Sequence, residues 1–243
     1  MKKLTYLMLM PLLLATSCSP KNMLNDKTLV IGCSPTPHAE ILREAKPLFE
    51  DEGYKLDIQI IQDYVTPNAL LQAGDLDANY FQHVPYLDDF NEKNHTDLTW
   101  ILKVHFEPMG IYSSKYTDFA KVNPTIAIPN DKSNGERARA LLEEWDVTGT
   151  IIEMEAQAIP SVLADVDYGV INGNYALSAQ ITDKCIVTES KDSETAQRLA
   201  NVIAVKTSSL NFEWIDVIKR VMTSNKMRTV INTYFGSSVL AVF

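Results

Sequence analysis

The chain has 243 residues, 46% hydrophobic and 22% charged, enough apolar material for one large core or two modest ones and ordinary for a soluble globular protein. Its formal net charge is −9, and removal of Lys2 and Lys3 leaves 20 basic against 31 acidic residues, or −11. No Lys/Arg cluster offsets that balance, which argues against nucleic acid as a partner.

Residues 1–17 combine a basic start (Lys2, Lys3), an apolar run from Leu4 to Ala15, and small Thr16 and Ser17 before Cys18. This reads as a secretory signal peptide, too short to span a bilayer. A cysteine directly after such a run resembles a bacterial lipobox, although Ala15 stands where that motif usually has Leu. Cys18 is therefore the expected acylated (palmitate-bearing) first residue of a mature lipoprotein, and a plain secretory signal with an incidental Cys18 is the alternative. Several acyl chains, at about 0.8 kcal/mol per buried methylene, would hold the protein on a membrane, facing the periplasm or the cell exterior. Residues 18–26 then form the lipidated cysteine and a short polar linker. Cys33 and Cys185 lie far apart in sequence and are expected to be small buried hydrophobes, not a disulfide.

Further along, Thr28 to Cys33 reads as a strand and residues 37–50 as a helix, with Pro47 expected to kink it or end its regular part. Leu56, Ile58 and Ile60 alternate as a strand; Thr66-Pro67 opens a short helix that Gly74 can close. A strand at 77–81, a helix from Pro85 and a strand at 98–104 lead into a loop at 105–110. A second set begins with a strand at 125–128 and a helix capped by the S-x-x-E pattern of Ser133 and Glu136, its buried stripe being Ala138, Leu141, Leu142 and Trp145. Strands at 150–154, 167–171 and 184–188, a helix at 160–164, an extended stretch at 201–205 and one long C-terminal helix through Ile215, Ile218, Val221 and Met222 complete the pattern.

Alternating strands and helices with short connections predict an α/β fold of parallel sheets covered by helices. Ile111 to Ser114 and Ala204 to Thr207 flank the middle set and are expected as paired hinge strands. That divides the chain into lobe 1 (27–112 with 206–243) and lobe 2 (113–205), with a ligand in the cleft between them.

Gln62 to Leu87 concentrates Tyr64, Tyr80, Phe81, His83 and Tyr86 among turn signals, which suits either a pocket wall or a Tyr-rich domain edge. The helix start at Ser133, with Arg137 one turn in, suits a carboxylate, yet Arg137 could equally pair with Glu136 or Glu143 on the helix surface. Asn172 ends a strand at a sheet mouth, where ligand-binding and turn-forming Asn both occur. His83 and His105 are pocket candidates or structural histidines; His38 reads as structural and His95 as exposed. There is no H-x-x-H, H-x-x-x-H or C-x-x-C pair, so no metal or other cofactor is expected. No G-x-S-x-G elbow, phosphate loop or Cys/His nucleophile pair appears, which points to binding without turnover: not an enzyme.

The runs PHAEIL (37–42), DANYFQHVPYL (77–87), HFEPMGIYS (105–113), IPNDKSNGERA (128–138) and VINGNYAL (170–177), with the Gln62–Leu71 motif, resemble the methionine-binding lipoproteins of methionine ABC importers, the NlpA lipoprotein family. The resemblance extends from the signal to the C-terminal GSSVLAVF. It implies a type II periplasmic-binding-protein-like fold: two lobes, each a mostly parallel sheet flanked by helices, joined by two hinge strands. It further implies a monomer that binds L-methionine or a close analogue and hands it to a permease driven by an ATPase. Position by position, Arg137 is similar to the family's carboxylate-binding arginine and Asn172 to its amino-acid-binding asparagine. Tyr64, Tyr80, Phe81, His83 and His105 fall in motifs that line the thioether pocket, and Asn201 matches a third polar contact. Two departures stand out: a shorter segment between Trp145 and Thr150, and Arg198-Leu199-Ala200 where the family usually shows Pro-Tyr before the asparagine. Two other readings keep the architecture: a surface-exposed adhesive or immune-facing lipoprotein with a vestigial pocket, and an amino-acid-modifying hydrolase.

Overall fold

The computed structural model describes residues 27–243; the expected signal peptide, the lipidation site Cys18 and the linker to residue 26 lie outside the described residues. The chain forms β1 (Thr28–Cys33), α1 (Glu40–Asp51), β2 (Lys55–Ile60), α2 (Thr66–Ala73), β3 (Ala78–His83), α3 (Val84–Asn94) and β4 (Leu98–Phe106). It continues through β5 (Gly110–Tyr112), β6 (Thr125–Pro129), α4 (Lys132–Glu144), β7 (Thr150–Met154), β8 (Tyr168–Ile171), α5 (Gly173–Ser178) and β9 (Cys185–Thr188). The last elements are α6 (Ser193–Arg198), β10 (Asn201–Lys206), α7 (Glu213–Met222), α8 (Asn225–Phe235) and β11 (Leu240–Ala241).

Two mixed sheets define two lobes. The first has the order β11-β4-β10-β3-β1-β2 and the second β7-β6-β8-β5-β9. In each, a parallel centre (β2-β1-β3 and β7-β6-β8) is extended by antiparallel strands. β1 is apolar almost throughout because it lies between two strands with helices on both faces. β2 is an edge strand, so the expected alternation weakens along it: Leu56 is buried, Ile58 is half-buried against the core, and Ile60 is 47% exposed.

The first lobe packs α1 and α7 on one face of its sheet and α2 and α3 on the other. Pro47 does not end α1, which runs on to Asp51. Ile41, Leu42 and Phe49 are fully buried on one side of that helix. At about 1.5–3 kcal/mol each, their burial outweighs the roughly 3 kcal/mol cost of an interior proline. The expected single C-terminal helix is two, because Ser224 caps α8 by accepting the Met227 N–H at 3.3 Å. In the second lobe the expected helix at 160–164 is a 3-10 turn, Ala156–Val162, with Pro160 inside it. Proline's missing N–H disfavours a regular α-helical ladder there.

The chain crosses between lobes twice. Residues 107–109 join β4 to β5, and residues 189–200, carrying α6, join β9 to β10. β10 lies between β3 and β4, so residues 201–205 belong to the first sheet, not to lobe 2 as expected. The expected pairing of 111–114 with 204–207 does not occur, since β5 pairs with β8 and β9. Val202 to Val205 are buried throughout, and an apolar strand of that kind needs a partner along each edge.

Candidate functional site

The lobes meet around a cavity at the ends of β3, β4 and β8. The first lobe supplies Tyr64, Phe81, Gln82, His83, Tyr86 and Asn201; the second supplies Asn134, Arg137, Asn172, Gly173 and Asn174, with Glu107 on the first crossing between them. Among the described residues, three hydrogen bonds draw the lobes together. Tyr64 Oη donates to Asn174 Oδ1 at 2.6 Å, Tyr175 Oη donates to the Gln62 carbonyl at 2.9 Å, and His83 Nε2 lies 3.3 Å from Asn134 Oδ1. The cavity left between them is about 20 Å³, room for about one water molecule. A ligand of amino-acid size enters only if the lobes part.

Aromatic rings form one wall. Tyr64 lies against Tyr175 with ring centroids 4.9 Å apart, and against Phe81 and Tyr86 at 5.9 Å each. The Tyr86 hydroxyl donates to the Tyr64 carbonyl at 3.0 Å, fixing the pair. His83 N-caps α3: its Nδ1 accepts the Tyr86 N–H at 3.2 Å, which leaves Nε2–H to donate to Asn134. Burial, reinforced by the Arg137 charge, pushes its pKa down to about 3, so this ring is neutral.

Opposite stands a polar wall. α4 is capped by Asp131, not by Ser133 as expected: the Asp131 carboxylate accepts the Asn134 N–H at 2.9 Å and holds the Asn134 side-chain amide. An aspartate caps the free N–H groups as well as a serine does and also complements the helix dipole. The Asn134 Oδ1 thus held accepts the Asn172 Nδ2–H at 2.8 Å. Asn172 Oδ1 and Asn174 Nδ2 are buried with no hydrogen-bond partner among the described residues. An unmet acceptor and an unmet donor therefore sit on residues of one small cavity, and each costs about 1–3 kcal/mol until satisfied.

Arg137 points inward, not along its helix surface toward Glu136 or Glu143. Its Nε donates to Glu189 Oε1 at 2.6 Å, and its Nη2 donates to Glu189 Oε2 and, at 2.9 Å, to the Glu107 carbonyl. Of five guanidinium N–H groups three are committed, and the two on Nη1 remain. Glu189 opens the second crossing and also accepts the Met109 N–H of the first at 2.8 Å, so one carboxylate ties α4 to both interlobe connections.

Tyr80 and His105, both expected in the pocket, do not line it. Strand alternation sends Tyr80 into the core beneath α1 and Phe81 into the one beneath α2 and α3. Tyr80 Oη is hydrogen-bonded to His105 Nδ1, and His105 Nε2 meets Glu107 Oε1 at 2.6 Å. His38 Nε2 lies 3.1 Å from Asn201 Oδ1 and 3.5 Å from the same Glu107 oxygen. Tyr80, His105 and His38 form a fully buried layer behind Glu107 and Asn201, which line the cavity. Burial raises the Glu107 pKa to about 7 against the opposing pull of His38 and Arg137, and lowers His38 to about 4 and His105 to about 3. The ligand atoms of His38, His105 and Glu107 lie within 4.8 Å of one another. The 2.6 Å contact is a hydrogen bond, shorter than the roughly 3.3 Å separating two ligands of one tetrahedral zinc, so the trio is a hydrogen-bonded network.

Glu107, Asn134, Asn174 and Glu189 escaped the sequence reading. Asn134, Asn174 and Glu107 each lie within a few residues of an expected site residue, which is a usable signal. Glu189 follows an unremarkable strand and has none.

The NlpA lipoprotein family profile matches residues 29–150 and 149–243. Membrane lipoprotein TpN32 of Treponema pallidum is 31% identical over 239 residues, 88% of each chain. Methionine-binding lipoprotein MetQ of Bacillus subtilis is 30% identical over 247 residues, 89% of this chain and 88% of its own. Among solved structures, a nutrient binding protein from Burkholderia cenocepacia bound to methionine superposes with a TM-score of 0.82 at 32% identity, covering 88% of this chain and all of that one. With the two-lobed fold and near full-length similarity together, this chain belongs to the NlpA lipoprotein family, as a substrate-binding protein and not an enzyme.

Proposed function

We propose that the protein binds L-methionine or a close analogue between its lobes and delivers it to the permease of an ABC importer whose ATPase drives uptake. The observation that carries this reading is the pairing of an aromatic wall with an unmet acceptor, an unmet donor and a half-committed arginine around one interlobe cavity. A zwitterion is costly to bury unless both charges are answered, and a thioether favours polarizable aromatic contacts. Arg137 Nη1 and Asn174 Nδ2 are donors for the carboxylate; Asn172 Oδ1 and the Glu107 carboxylate are acceptors for the ammonium. Tyr64, Phe81 and Tyr86 surround the side chain. Tyr80, His105 and His38 act behind Glu107, and Asn201 orients His38.

Delivery requires that the lobes part and close, and the two crossings are the places where the backbone can bend. Acylation at Cys18 would hold the monomer at the membrane, facing the periplasm or the exterior. Calorimetry of the purified protein against L-methionine, D-methionine and methionine sulfoxide tests the reading. A micromolar or tighter dissociation constant, about −8 kcal/mol or better, is expected for L-methionine. Absence of heat with all three removes it.

A further inference from the structure

Beside the interlobe cavity, across His83 and Arg137, lies a second hollow of about 390 Å³. His83 and Arg137 line both spaces. The contact between them at this point is the His83–Asn134 hydrogen bond, at 3.3 Å the longest of the three that join the lobes. Pro85 of the first lobe, Ala140 of α4 and Leu199 after α6 give the hollow an apolar lining. Of its charged lining, Arg137 and Glu189 are paired with each other, which leaves Glu136 and Glu144 on α4 facing Arg198 at the end of α6. Arg198 is exposed and joins no ion pair among the described residues, and its charge is felt at His83.

A volume of this order suits a small organic group, since ligand pockets run from about 300 to 1,000 Å³. Free methionine in the inner cavity would leave it unfilled. A chain continuing from the methionine carboxyl would pass between His83 and Arg137, where parting the lobes breaks the weakest of the three bonds. Its own carboxylate would be repelled by Glu136 and Glu144 and attracted to Arg198, while a basic side chain would be drawn to the α4 side.

We propose that this hollow is a subsite for the second residue of a methionyl dipeptide: the methionyl residue sits between the lobes, the terminal carboxylate meets Arg198, and a neutral or basic second side chain faces Glu136 and Glu144. The proposal rests on the methionine reading and narrows it to a substrate class.

The test is calorimetry of the purified protein with L-methionine, L-methionyl-L-lysine and L-methionyl-L-glutamate at low salt, repeated with Arg198→Gln and Ala140→Trp. Methionyl-lysine is expected to bind about tenfold more tightly than methionine, and methionyl-glutamate about fivefold more weakly than methionyl-lysine. Arg198→Gln should weaken methionyl-lysine about fivefold, and Ala140→Trp, on an exposed helix face, should obstruct it sterically; both should leave methionine within about twofold. If methionine binds and methionyl-lysine binds no better, or the two variants touch both ligands equally, the subsite is overturned and the methionine reading stands. If none of the three binds, both fall together.

Discussion

Arg137 and Glu189, 52 residues apart in sequence, meet through two parallel contacts, Nε to Oε1 at 2.6 Å and Nη2 to Oε2 at 2.5 Å, with side-chain exposures of only 8% and 10%. Removing one charge strands the other in a largely dry site. Glu189→Gln is expected to destabilise the protein by about 3 kcal/mol, read as a lower urea midpoint at unchanged slope. A loss below about 0.5 kcal/mol, typical of a surface pair, would mean the contact is not structural.

Asn172 offers the opposite balance. Its Oδ1 has no partner among the described residues, so Asn172→Ala removes an unmet acceptor along with one hydrogen bond to Asn134. The expected result is a stability change within about 1 kcal/mol and a loss of methionine affinity of about tenfold. Equal affinity in the variant and the parent would take Asn172 out of the site.

Gly173 permits the close approach of α5 to the first crossing. A Cβ there would lie 2.9 Å from Glu107 Cβ and 3.1 Å from the Pro108 carbonyl. Gly173→Ala should therefore cost about 1–3 kcal/mol and displace Glu107 from the cavity wall, so that thermal stability and methionine affinity fall together. Retention of both would show that the crossing yields freely.

Acid should weaken the fold through its buried histidines. His38 (about 4), His83 and His105 (about 3 each) are held below the ordinary 6.5, so the stability they carry is present above pH 6.5 and lost as pH falls toward the folded values. Glu107, raised from 4.5 to about 7, has the opposite sign: its contribution is present below 4.5 and lost as pH rises through 7. Between pH 6.5 and 4.5 three groups lose stability against one that gains it. The net of about two protons corresponds to a fall on the order of 2–3 kcal/mol per pH unit. Urea midpoints at pH 6.5 and 4.5 measure it, and His83→Gln should flatten the profile; a midpoint that rises toward acid would contradict the neutral buried histidines.

Local pattern carried the reading as far as local physics reaches. Apolar runs located β1, β4 and β6, and the Thr66-Pro67 and Gly74 signals bracketed α2. The Ser133 cap was misplaced by two residues because Asp131 satisfies the same geometry with a charge. What sequence could not give was partnership across distance. Nothing in the VIAV of β10 says that it enters between β3 and β4, and nothing around Glu189 says that Arg137 will find it. Of the rings between Gln62 and Leu87, Tyr64, Phe81, His83 and Tyr86 line the interlobe cavity, but the alternation that turns Tyr80 away from Phe81 becomes visible only once the sheet has two covered faces.

The place of β10 has a bearing on biosynthesis. It is the strip that joins β3 to β4, yet it is among the last strands to be made, after the whole second lobe. Until that stretch leaves the ribosome, the first sheet exists as two pieces with bare hydrogen-bonding rims, a form prone to sticking. Such late completion makes a protective escort useful during synthesis.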